Sequence, residues 1–71
     1  MIPTLQHEIL GKLGRIFELS PGVRVGQLMA HLDFLADDMF DRGLGDVDDD
    51  QLIKVLERHE AELARRETNV A

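Results

Sequence analysis

Apolar residues recur at helical spacing in three stretches of this chain, separated by two short breaks rich in Gly, Pro and Asp. In the first, Leu5, Ile9, Leu10, Leu13, Ile16 and Phe17 fall on one broad face, with His7, Glu8, Lys12, Arg15 and Glu18 on the other. This predicts a helix over about residues 4–19, with either Pro3 as its first residue or Thr4 as its cap. Gly11 and Gly14 each weaken it by about 1 kcal/mol relative to Ala, and leave room for another backbone to approach. Ser20-Pro21-Gly22 reads as its stop.

The second stretch has the cleanest period. Val25, Leu28, Met29, Leu32, Leu35, Ala36, Met39 and Phe40 form a stripe about 140° wide. The helix is expected over about residues 24–40, although Ser20 offers a cap for a longer version. Its end is less sharply marked. Gly43 is a candidate for the left-handed residue beyond it, and Asp37, Asp38 and Asp41 would crowd the negative end of the helix dipole. Phe34 lies roughly opposite the stripe. It is either covered by a neighbouring helix or the chain end, or serves as an anchor for another subunit.

The third helix is expected over about residues 49–66. Leu52, Leu56, His59 and Leu63 line one face, flanked by Ile53 and Ala64. Asp48 is a natural cap, Gln51 completes a capping box, and Val47 and Leu52 suit the two ends of a hydrophobic staple. Asp49 and Asp50 favour the positive end of the helix, Arg65 and Arg66 the negative end. Asp50–Lys54 and Glu62–Arg66 are i,i+4 pairs of favourable orientation. Thr68 to Ala71 are expected to fray. The fold class is therefore all-α: one small three-helix domain, an antiparallel hairpin of the first two helices with the third packed on it.

The same acids allow a second chemistry. Asp46, Asp48, Asp50 and Glu57 stand at the first, third, fifth and twelfth places of a calcium loop. The sixth place, ordinarily Gly for the sharp turn, is Gln51. If the segment is helical, Asp50 and Glu57 lie about 10 Å apart along its axis and cannot share one ion. Helix capping accounts for these acids with nothing missing.

At 71 residues without cysteine, the chain is near the lower limit for a core that folds unaided, and no disulfide or zinc–thiolate site can reinforce it. Burial of some apolar surface in a dimer or against a protein partner is expected. The net charge of −6 disfavours nucleic acid and anionic membranes, and a helix–turn–helix built from the first two helices would present Asp33, Asp37 and Asp38 to DNA. No apolar run approaches membrane-spanning length, and Met1-Ile2-Pro3-Thr4 lacks the features of a secretion signal, so a cytoplasmic location is expected.

Catalytic signals are sparse. The hydroxyls are Thr4, Ser20 and Thr68, all in turns or at ends and without an evident activating histidine. His7, His31 and His59 do not pair at the spacing of ligands on one helix, and His59 reads as a core-edge or interface residue. No enzyme, cofactor or metal site is expected.

Pro21-Gly22-Val23-Arg24-Val25-Gly26-Gln27-Leu28, followed by Asp48-Asp49-Asp50-Gln51-Leu52 at a helix start, resembles a group of short uncharacterised bacterial proteins. These share an Arg-x-Gly-Gln-Leu run and a later acidic helix start. The resemblance spans about the last two thirds of the chain and implies a small intracellular bacterial protein, with no activity or site residue attached. The long acidic connection from Asp37 to Asp46 departs from the group. From the residues themselves, Arg24 and Gln27 are expected to orient the turn before the second helix. The function expected is a non-catalytic interaction module, self-associating or docking on a larger protein, with Phe34, Met39, Phe40 and Leu44 at its surface.

Overall fold

The structure, a computed structural model, describes the backbone of residues 3–69 and the side chains of residues 3–66. It contains helices α1 (Thr4–Leu19), α2 (Val25–Phe40) and α3 (Asp49–Asn69), and no strand among the described residues. The three-helix expectation holds to within a few residues at every boundary. Helix α3 continues through Thr68 and Asn69, whereas the fraying expected at Val70 and Ala71 lies outside the described residues.

Local chemistry sets each end. Pro3 is not helical and Thr4 is not the cap: Pro3 is itself the residue before the helix, at φ −53° and ψ 148°, and Thr4 is the first helical residue. Ser20 does not cap α2, because its hydroxyl donates to the Ile16 carbonyl at 2.7 Å and so closes α1. The Ser20 carbonyl then accepts the Val23 N–H at 3.1 Å, turning the chain.

Helices α2 and α3 begin with the same device. The amide oxygen of Gln27 accepts the Arg24 N–H at 3.2 Å, and that of Gln51 accepts the Asp48 N–H at 3.0 Å. Each glutamine, three residues into the helix, reaches back to hold the residue before it. Arg24 has no side-chain acceptor with which to reciprocate. Val47 and Leu52, the expected staple, both pack partly buried against the core.

Helix α2 ends one residue short of its first left-handed position. That position is Asp41, at φ 56° and ψ 39°, and not Gly43. Aspartate tolerates this region better than most residues, and the Asp41 N–H donates to the Asp37 carbonyl at 2.9 Å. The aspartates near this helix end are partly offset: Asp38 binds the Arg58 guanidinium at 2.9 Å.

Helix α3 is the middle of the domain, with both other helices packed closely along it. The expected hairpin of the first two helices is corrected accordingly: α1 and α2 do not pack closely on each other, and each packs on α3 instead. Its buried residues therefore span a wide arc, from Ile53 and Leu56 round to Val55 and His59. Val55 lies off the stripe read from sequence and is wholly buried because a second neighbour covers it. Ile9 and Ile16 from α1, and Leu28, Leu32, Leu35 and Ala36 from α2, complete the core.

Ion pairs flank α3 on both sides. Lys12–Glu57 at 3.5 Å and Arg15–Glu60 at 3.6 Å join it to α1, and Arg58–Asp38 joins it to α2. Glu62 turns to Arg58, at 3.5 Å, and not to Arg66 as its spacing suggested. These pairs are substantially solvated and add specificity of placement more than stability. Nothing approaches Gly11 or Gly14 within van der Waals distance of an added Cβ, so neither glycine makes room for a neighbouring backbone.

Candidate functional site

The packing of α2 on α3 brings together two histidines that lie 28 positions apart in sequence, from 31 to 59. The rings of His31 and His59 have centroids 4.6 Å apart and are tilted by 55°. Glu62, one turn beyond His59 on the same helix, brings a carboxylate to the pair. One potential ligand atom from each of the three residues lies within 4.8 Å of the others.

The burial of the three differs. His59 is 7% exposed, and its Nδ1 is buried without a hydrogen-bond partner. His31 and Glu62 are partly buried, so the cluster has an inner wall and an open rim. Burial pushes the His59 pKa below the usual histidine value, since the charged ring would lose water it cannot replace. A positive charge on His31 acts in the same direction, Glu62 opposes it, and Arg66 adds a smaller lowering. The Glu62 carboxylate also meets Arg58, which carries a second acid in Asp38.

Phe34 stands at the rim. Its ring lies 6.4 Å from that of His31, nearly parallel at 20°, and it is 64% exposed. Among the described residues no neighbouring helix covers it, and cover by the chain end lies outside the described residues. Met39, Phe40 and Leu44 are placed differently: all three pack partly buried against the core. Leu44 also lines a small apolar recess of about 70 Å³ with Leu13, Met29, Leu32, Leu52 and Leu56. Phe34 thus points outward while its three expected companions point in.

The four acids of the calcium pattern are not gathered. Asp46 lies in the connection, Asp48 precedes α3, and Asp50 and Glu57 are both in α3, seven residues and about 10 Å of helix rise apart. Of the remaining residues considered, His7 is exposed on α1, away from the histidine pair in sequence and burial. No helix is long and apolar enough to cross a membrane among the described residues.

Comparison with protein-family models, with curated proteins and with solved structures yields no match for this chain.

Proposed function

We propose that this protein is a non-catalytic interaction module that associates with a second copy of itself through the outer face of α2, with Phe34 as the anchor. Phe34 carries the proposal. It is the most exposed of the large apolar side chains among the described residues, at 64%, and it projects from the middle of a regular helix. A ring held on a helix and stacked on His31 is already partly ordered, so less side-chain freedom is lost when it is covered. Aromatic anchors of this kind carry a disproportionate share of binding energy at protein contacts.

The rest of the surface fits a protein partner better than a nucleic acid. The outer side of α2 presents Asp33, Asp37 and Asp38 around Phe34, all exposed. A polar rim around an apolar anchor is the usual anatomy of a protein contact, whereas this charge repels phosphate. Met39, Phe40 and Leu44 support the core and contribute only their exposed edges.

Sedimentation across a range of concentrations tests the proposal. The native chain is expected to gain mass with concentration, and Phe34→Ala to remain monomeric with an unchanged circular dichroism spectrum. A native chain that stays monomeric at every concentration would count against it.

A further inference from the structure

We propose that His31, His59 and Glu62 form a binding site for a divalent transition metal of the zinc type, with three protein ligands and one open position. This goes beyond the contact through Phe34 and does not depend on it.

The donor set suits such an ion. Two imidazole nitrogens and one carboxylate oxygen are the ligands of borderline metals, while calcium and magnesium require oxygen throughout. Tetrahedral bonds of about 2.0–2.1 Å place ligand atoms roughly 3.4 Å apart. The three atoms here lie within 4.8 Å, so the cluster must close by up to about 1.4 Å. His31 and Glu62 supply that movement, since both are at the partly open rim. His59 is the fixed member, held in the core.

The second observation is the orphaned nitrogen. His59 is more than nine-tenths buried, yet its Nδ1 bonds to nothing in the protein. Core packing alone would be served as well by an apolar ring, with no nitrogen left to satisfy. A metal bound to one ring nitrogen gives that buried imidazole an interaction that packing does not.

Arg58 does not compete for the whole carboxylate. It meets Oε1 of Glu62 at 3.5 Å, while its stronger contact is with Asp38 at 2.9 Å. The other Glu62 oxygen has no ion-pair contact, and the Arg58–Asp38 pair restrains the carboxylate, as partners of metal ligands commonly do. With three protein ligands, a fourth coordination position would stay open to water or another ligand.

Titration of the intact chain with zinc chloride at neutral pH, followed by calorimetry and by histidine ring resonances, tests the site. One zinc per chain is expected, with the His31 and His59 resonances shifted and those of His7 unmoved. His31→Ala and Glu62→Gln are each expected to weaken zinc at least tenfold, while His7→Ala leaves the affinity unchanged. The proposal is overturned by the absence of binding at millimolar zinc, by shifts confined to His7, or by a folded His31→Ala chain that binds as tightly as the native one. Should His31→Ala fail to fold, the ring resonances of the native chain decide the matter alone.

Discussion

Asp33 in α2 accepts the backbone N–H of Leu44 through its Oδ1 oxygen at 2.7 Å, tying the middle of the helix to the connection that follows it. Gly43 sits against the same carboxylate, with an added Cβ 3.6 Å from Oδ1 and 3.7 Å from Oδ2 of Asp46. The Asp46 N–H in turn donates to the Gly43 carbonyl at 2.9 Å. One carboxylate thus fixes where the acidic connection leaves α2 and how it approaches α3.

Asp33→Ala is therefore expected to destabilise the fold although the residue is exposed. Loss of the bond costs about 1 kcal/mol, at the modest end because water can replace it. For a domain of this size that lowers the melting temperature by roughly 4–8 °C. Asp33→Asn keeps an acceptor oxygen and should recover much of the loss. Thermal melts of the two variants separate the bond from the charge; equal losses would point to charge alone.

The two capping glutamines make a paired prediction. Gln51→Ala removes the acceptor for the Asp48 N–H, and Gln27→Ala that for the Arg24 N–H. Each is expected to cost about 0.5–1 kcal/mol, in the range measured for helix caps. Gln51→Ala should cost more, because α3 is the helix on which both others pack. Urea midpoints measure this, and a larger effect from Gln27→Ala would contradict the central role of α3.

Most of the fold is legible from the pattern of apolar positions, and the reason is length. Each helix carries four or more turns of periodic residues, enough to mark both its face and its ends. What the pattern misses depends on neighbours. Val55 looks misplaced on a one-sided helix and is buried because α3 is covered on two sides. The left-handed position falls on Asp41 and not on Gly43, an assignment that residue type alone does not decide, because Asp and Gly both tolerate this region. The candidate site was not legible at all. His31 and His59 belong to different helices, so no spacing rule links them, and only the packing of α2 on α3 reveals that Glu62 joins them.

The buried histidine predicts an acid-sensitive fold. His59 has its pKa lowered in the folded chain, chiefly by burial and then by His31, against an ordinary value near 6.5 when unfolded. Between those two values the unfolded chain holds more protons, so stability rises with pH. The full contribution is present above about pH 6.5 and is lost as pH falls through the lowered folded value. Among the smaller influences on His59, Glu62 opposes the lowering and Arg66 adds to it. Urea midpoints measured downward from neutral pH should fall, and His59→Leu should flatten the part of that slope due to this residue. An unaltered slope would show that other groups govern it.

Core truncation is expected to be severe. Leu56 is wholly buried at the centre of α3, and Leu56→Ala removes about 2–5 kcal/mol. Typical stability is roughly 0.05–0.15 kcal/mol per residue, so that loss is a large part of what a chain this short holds. The far-ultraviolet circular dichroism of Leu56→Ala should show substantial loss of helix at room temperature. Full retention of native signal and melting temperature would mean that the core does not centre on α3.

Helix α1 offers the opposite change. Gly11 and Gly14 lie within it, and an added Cβ at either position meets nothing within 4 Å. Both have ordinary helical backbones, since no positive-φ glycine occurs among the described residues. Their cost is then the freedom they give the unfolded chain, with no compensating contact in the folded one. Gly11→Ala and Gly14→Ala are each expected to stabilise by up to about 1 kcal/mol, and to add when combined if the positions act independently. A rise in melting temperature on dilute samples checks this. If either variant instead lacked a gain in stability with concentration that the native chain shows, a second molecule would be packing its backbone against that glycine, which would move the self-association surface from Phe34 to α1.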